Sequence, residues 1–192
     1  NIAAVAGAKV RQTAGGMPVL DVIAAGAQAA LATSRNGRIG IIATSTTVNS
    51  NAYARAIHAK NPQARVPSQA CPLLVPLVEE GWLEHEVPRL TVREYLKPLL
   101  AEDIDTLVLG CTHYPLLKPL LQSEAPHLAL VDSALTTAEA TAAALAEAGL
   151  LNPSQTPADY HFYVSDIPLR FQTIGERFLG RSLEQIEMMR LG

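Results

Sequence analysis

The segment DTLVLGCTHYPLLKP, residues 105–119, combines a short apolar run with a polar turn and a proline. The run Leu107–Leu109 is typical of a strand buried on both faces of a sheet, and it stops at Gly110. Pro115 suits the first turn of a helix, because proline lacks the N–H that such a turn leaves unpaired. The segment therefore predicts a strand, a turn and a helix in that order.

The same alternation of strand and helix continues on both sides of this segment. Further strands are predicted near 18–22 and over 38–44, 63–70, 128–132 and 160–166. Helices are predicted over 24–37, 47–60, 72–81, 91–103, 115–125, 133–151 and 168–180. The start at Thr91 follows from its capping-box spacing to Glu94. Strands separated by helices of this length imply crossover connections, so the predicted fold class is α/β with a largely parallel sheet.

The composition suits this class and excludes several others. Of the 192 residues, 48% are apolar and 5% aromatic, which favours alanine-rich helices packed on a sheet and argues against disorder. The formal net charge is -3 and lysine and arginine do not cluster, so no nucleic-acid partner is expected. Apolar stretches such as 17–32 are too short or too interrupted to span a membrane. Two cysteines form no disulfide framework, which predicts a reduced, cytoplasmic setting.

Polar side chains follow two of the predicted strands at the edge where open α/β sheets bind ligands. Thr44–Thr47 follow the apolar run RIGIIA, residues 38–43, and Cys111–His113 follow the strand that ends at Gly110. Gly110 lets the backbone turn sharply and lets a ligand approach it closely. The N-terminus of the following helix would favour a thiolate at Cys111, with a lowered pKa, or a substrate carboxylate. His113 could then act as the acid–base partner of the thiol.

Structural roles compete with each of these interpretations. A single cysteine at a strand end is often a small buried hydrophobe, and a single histidine is often a hydrogen-bonded structural residue. Zinc is a third option for Cys111 and His113, but two further ligands at metal spacing are lacking. Cys71 is predicted to be a packed core thiol. The sequence has no C-x-x-C motif, which argues against a redox pair of Cys71 and Cys111. Glu79 and Glu80 have two possible roles: they form a solvated acidic pair, or one of the two carboxylates faces His113.

Five blocks of the sequence resemble, in order and spacing, the glutamate racemases of the aspartate/glutamate racemase superfamily. They are IGIIATSTTVNSNAY, QACPLLVPLVEEGW, LVLGCTHYPLL, VDSALTTA and HFYVSDIPLRFQTIGERFLG. The resemblance runs from Asn1 to about Leu179. It implies two similar three-layer α/β/α domains with mostly parallel sheets and an active site between them. It also implies catalysis without a cofactor, in which two cysteines on opposite faces of the substrate exchange the Cα proton.

The resemblance implies a role for each residue of the candidate site. Cys111 would be the base toward L-glutamate and the acid in the reverse direction. His113 would assist Cys111, and Glu79 would orient His113. The residues expected to bind the substrate are Asn1, Thr44, Thr47 and Thr112.

The first residues depart from the family pattern. The other catalytic cysteine of the family lies immediately before an Asn-Thr pair, whereas this sequence begins with Asn1 and has Ile2 in place of the threonine. A chain truncated at its N-terminus, and inactive by itself, is therefore expected. On the family pattern, residues 1–22 are a remnant of the first domain, 23–132 form the complete second domain, and 133–192 return to the first.

The expected function is the cofactor-independent interconversion of L- and D-glutamate, which supplies D-glutamate for peptidoglycan in a bacterial cytoplasm. The expected partner is the small-molecule substrate, with no metal, membrane or nucleic acid, and the full-length protein is expected to be a homodimer. Two alternatives stay open. One is a racemase of the same superfamily that acts on aspartate or a similar substrate, and the other is an inactive fragment that at most binds a ligand or partner.

Overall fold

Four strands pair as a parallel sheet in a computed structural model that describes residues 2–154 and 156–190. The strands are β1 (Ile39–Ala43), β2 (Ser68–Ala70), β3 (Thr106–Leu109) and β4 (Ala129–Asp132). Their order in the sheet is β2-β1-β3-β4, and every pair is parallel. Every residue of β1 and β3 is buried, as expected for central strands covered by helices on both faces. The predicted α/β fold class is confirmed.

Nine helices are found in the described residues. They are α1 (Ile2–Thr13), α2 (Val22–Thr33), α3 (Ser45–Asn49), α4 (Ala52–His58), α5 (Leu74–Glu79), α6 (Glu86–Leu100), α7 (Lys118–Glu124), α8 (Ser133–Glu147) and α9 (Pro168–Leu179). A 3-10 turn, Tyr114–Leu117, precedes α7. None of these helices is long and apolar enough to cross a membrane.

The two faces of the sheet carry separate hydrophobic cores, because successive side chains of a strand point to opposite faces. Leu107 and Leu109 of β3 pack with the buried side of α5, α6 and α7. Val108 faces the other way and packs with Ile41 of β1 and the buried residues of α2 and α4. The register that pairs Ile41 with Val108, and Val108 with Val131, keeps these cores continuous across the strands.

The two units of the molecule divide between Leu151 and Asn152. The first contains the four-stranded sheet and α1 to α8. The second contains α9 and two short parallel strands, β5 (Phe162–Val164) and β6 (Ile186–Met188). Helix α8 packs against α2 within the first unit. The proposed return of the chain to another domain at residue 133 stays a prediction.

One strand and one helix start predicted from the sequence are wrong. Residues 18–22 form no strand, because the Asp21 carboxylate accepts hydrogen bonds from the N–H groups of Ile23 and Ala24 and starts α2 at Val22. Helix α6 begins at Glu86, five residues before Thr91. The Thr91 hydroxyl donates to the Val87 carbonyl inside the helix instead of capping it.

Candidate active site

A cavity of about 240 Å³ opens at the carboxyl edge of the sheet. Thr44 follows β1, Cys111 follows β3, and Ser133 begins α8 directly after β4. All three residues line the cavity, together with Thr112, His113, Tyr53 and Gly110. The cavity therefore lies where the alternation of strands and helices places a ligand site.

Gly110 is required at the end of β3 for space. A Cβ atom at this position would lie 3.0 Å from the Ile42 carbonyl oxygen and 3.0 Å from Tyr53 Cε2. Its φ angle is outside the left-handed region, so the glycine is needed here for space and not for a left-handed backbone conformation. Its N–H donates to the Ile42 carbonyl at 2.8 Å, which continues the sheet ladder by one residue and brings Cys111 directly to the cavity.

The Cys111 thiol is partly buried, and burial raises its pKa above the ordinary value. A hydrogen bond from the His113 backbone N–H and one from the Thr112 hydroxyl favour the thiolate and offset part of this effect. The expected lowering of the pKa is therefore wrong in this structure. The helix behind the thiol starts with a 3-10 turn of four residues, which aligns few peptide dipoles at its N-terminus.

His113 joins the thiol to a carboxylate. Its Nδ1 lies 3.8 Å from Cys111 Sγ, and its Nε2 lies 3.2 Å from Glu79 Oε1. A neutral imidazole that donates its Nε2–H to Glu79 presents the Nδ1 lone pair to the thiol. Glu79 closes α5, whereas Glu80 is exposed and caps that helix, so it is Glu79 that faces the histidine. We call Cys111, His113 and Glu79 the thiol line.

The threonines predicted to bind the substrate lie at two depths. Thr44 and Thr112 line the cavity. Thr47 is buried, and its hydroxyl lies 3.4 Å from that of Thr44. Asn1 lies outside the described residues. The contacts of all four with a substrate stay predictions.

Cys71 is a core thiol, as predicted. It has no exposed surface, and burial raises its pKa to about 12. Its backbone carbonyl accepts a hydrogen bond from the buried Tyr114 hydroxyl at 2.8 Å. Neither cysteine is in a disulfide. Within residues 2–154 and 156–190, no group of three or more His, Cys, Asp or Glu side chains is placed to hold a metal ion.

Two residues of the cavity wall were missed by the sequence analysis. Tyr53 comes from α4 and Ser133 from α8, and their hydroxyl oxygens are 2.9 Å apart. The residues are 80 positions apart in the chain, so no local pattern links them. Two signals were available: Ser133 follows a strand end, and both residues lie in blocks that resemble the family, IGIIATSTTVNSNAY and VDSALTTA.

The chain belongs to a family of racemases. The family model described as Asp/Glu/Hydantoin racemase matches residues 3–141, a stretch that holds the whole four-stranded sheet and every residue of the thiol line.

Within that family, the similar proteins include glutamate racemases. The glutamate racemase of Neisseria meningitidis serogroup B is 74% identical over 191 residues, which are 100% of this chain and 71% of that protein. That of Syntrophus aciditrophicus is 63% identical over 176 residues, 91% of this chain and 65% of that protein. The crystal structure of the Francisella tularensis glutamate racemase in complex with D-glutamate matches with a TM-score of 0.89 and 39% identity, over 98% of this chain and 70% of that one. These relatives confirm the resemblance found in the sequence.

Proposed function

We propose that this chain provides a proton-transfer site of a glutamate racemase, which interconverts L- and D-glutamate at Cα without a cofactor. The observation that carries the proposal is the thiol line, in which the Cys111 sulfur at the cavity wall is 3.8 Å from an imidazole that contacts a carboxylate. The similarity to glutamate racemases supports glutamate as the substrate.

The thiol line suggests how the base is formed. Nδ1 of His113 takes the proton of the Cys111 thiol, and the Glu79 carboxylate stabilises the resulting imidazolium. The thiolate then removes the Cα proton, while the electron pair of the C–H bond remains on the substrate. Partial burial makes this thiolate costly to form but also makes it a stronger base, because its pKa is raised. In the reverse direction the Cys111 thiol donates the proton to Cα.

Inversion at Cα also needs an acid on the opposite face of the substrate. The chain contains one other cysteine, Cys71, which has no exposed surface and cannot serve this cavity. We therefore expect that these 192 residues alone do not racemise glutamate. Measurable racemisation by them, followed by circular dichroism, would contradict the requirement for a second thiol.

Substrate binding is proposed to use the hydroxyl groups of Thr44, Thr47 and Thr112, together with Asn1. Hydroxyl groups can donate to the substrate carboxylates and accept from its ammonium group. Holding the Cα–H bond toward the sulfur in this way would supply the orientation that removal of a weakly acidic proton needs.

A chimera provides the test. This chain replaces the matching segment of the Neisseria meningitidis glutamate racemase, and the product is incubated with L-glutamate in deuterated water while exchange at Cα is followed by NMR. Exchange is expected, and Cys111→Ser should abolish it. A folded chimera without exchange, or exchange that survives Cys111→Ser, would refute the proposal. Cys71→Ala, which removes the buried thiol, is the matched control and should retain exchange.

A second candidate keeps the chemistry and changes the substrate. The family description includes aspartate and hydantoin, and the resemblance implies a substrate-contacting threonine at the position of Ile2. A panel of amino acids given to the chimera, in separate versions with Ile2 and with threonine at that position, decides between the substrates. Faster turnover of aspartate than of glutamate by both versions would favour this candidate.

The proposed biological role is the supply of D-glutamate for peptidoglycan in a bacterial cytoplasm, by a full-length protein that forms a homodimer. Growth of a D-glutamate auxotroph that carries the chimera tests the role. Light scattering of the chimera in solution tests the oligomeric state.

A further inference from the structure

A chain of buried hydrogen bonds lies beneath the end of β3. The Ser133 hydroxyl donates to the Leu109 carbonyl at 3.2 Å, and Tyr53 Oη lies 2.9 Å from the same serine oxygen. A carbonyl oxygen can only accept, so the serine proton points to Leu109 and Tyr53 must donate to the serine. Burial raises the pKa of Tyr53, which keeps this donor protonated. We call Tyr53 and Ser133 the hydroxyl pair.

Two glycines make room for the hydroxyl pair. A Cβ on Gly26 of α2 would lie 2.9 Å from Ser133 Oγ and 3.2 Å from Tyr53 Cε1. A Cβ on Gly110 would lie 3.0 Å from the opposite edge of the same tyrosine ring. The ring is therefore held between α2 and the backbone that leads to Cys111.

Both members of the pair also line the cavity. They share its wall with Cys111 and His113. The hydroxyl of Tyr53 is tied through Ser133 to Leu109, only two residues before the reactive thiol. Gly110 joins Leu109 to Cys111, so a shift of this pair reaches the sulfur along the backbone.

We propose that Tyr53 and Ser133 are positioning residues, which fix the end of β3 and thereby hold the Cys111 sulfur in its partly buried place beside His113. The catalytic meaning of this inference rests on the proposed function. The placement of the sulfur does not, and it can be measured without glutamate.

The test measures how fast iodoacetamide alkylates Cys111 in the 192-residue chain as a function of pH. Peptide mass mapping identifies which cysteine is alkylated. Cys71 is fully buried and is therefore not accessible to the reagent. Tyr53→Phe keeps the ring against both glycines and removes only the donor. We expect the alkylation rate at pH 8 to rise about threefold or more, and the midpoint of the rate–pH profile to move to lower pH. The reason is that a loosened strand end admits water to the thiol, which favours the thiolate.

Ser133→Ala and the double variant complete the experiment. Both substitutions break one chain of hydrogen bonds, so the double variant should react at the same rate as Ser133→Ala alone. Tyr95→Phe is the control, because it removes a tyrosine hydroxyl that accepts from the Leu73 N–H and is not a member of the Tyr53–Ser133–Leu109 hydrogen-bond chain. It should leave the profile unchanged.

Three results would overturn the inference: a Tyr53→Phe profile that superimposes on the parent, a slower reaction, or effects that multiply in the double variant. If Ser133→Ala fails to fold, Tyr53→Phe alone decides by the first two criteria. If the chimera is inactive but Tyr53→Phe still speeds alkylation of Cys111, glutamate racemisation is refuted. The inference that Tyr53 and Ser133 position the sulfur then still holds.

Discussion

Replacing Gly110 by alanine tests how tightly the end of β3 is packed. The new Cβ would lie 3.0 Å from the Ile42 carbonyl oxygen, 3.0 Å from Tyr53 Cε2 and 3.1 Å from Ala43 Cβ, where ordinary contact begins at 3.4 Å. Ile42 and Ala43 belong to β1, which is paired to a strand on each side and cannot withdraw freely. The strain must be relieved by the tyrosine ring or by the sheet itself.

The cost follows from these contacts. Overpacking a filled core costs about 1–3 kcal/mol, and three simultaneous close contacts place Gly110→Ala in the upper part, at about 2–3 kcal/mol. For a chain of this size each kcal/mol lowers Tm by about 2–4 °C, so Tm should fall by about 4–12 °C. Thermal unfolding of the 192-residue chain, followed by circular dichroism, measures the change.

Gly7→Ala is the matched control. Gly7 lies inside α1, and the nearest atoms to its added Cβ belong to the Arg11 guanidinium, at 3.7 and 3.8 Å. The same added methyl group should therefore stabilise the helix, by roughly 0.5–1 kcal/mol. A Gly110→Ala Tm within about 1 °C of the parent, with Gly7→Ala stabilising as expected, would show that the end of β3 has room and that this steric reasoning is wrong.

Three further predictions concern the site and the core. His113→Asn should slow Cα exchange in the chimera by about 10²-fold or more, because the thiol loses its acid–base partner, and a smaller loss would assign His113 a structural role. The folded-state pKa of Cys71, about 12, lies above that of the unfolded chain, so its contribution to stability is complete below about pH 9 and is lost as pH rises. Urea titrations should show unfolding free energy falling by about 1.4 kcal/mol per pH unit above pH 9 from this thiol, and Cys71→Ala should flatten that slope. Tyr114→Phe should cost about 1–2 kcal/mol in the same titrations at pH 7, since the buried Cys71 carbonyl loses its donor, and an unchanged stability would mean that another group replaces it.

The central strands could be predicted from local sequence because their environment is uniform. Residues 39–43 and 107–109 carry no polar side chain, and both strands are buried on both faces. At residues 18–22 one side chain decides the structure instead, because Asp21 caps α2. At Thr91 the capping pattern is present, but the helix is already under way from Glu86. Local patterns failed where two structures competed for the same hydrogen-bonding group.

Only the part of the candidate site that is contiguous in the sequence could be predicted. Cys111 and His113 are two residues apart, and the structure keeps them together. The predicted direction of the Cys111 pKa shift was wrong, because the thiol is buried by elements that are far away in the sequence. Tyr53 and Ser133 were missed for the same reason.

The 80-residue separation of the hydroxyl pair has a consequence for biosynthesis. During translation the N-terminal part of a chain is available to fold first, and contacts between distant residues form late because long loops must close. Strand β3, which leads to Cys111, leaves the ribosome before Ser133 does. The thiol is therefore made early but acquires its final surroundings only when the first turn of α8 docks. A nascent chain stalled before that turn emerges should expose Cys111 to alkylation, and release of the next helix should protect it.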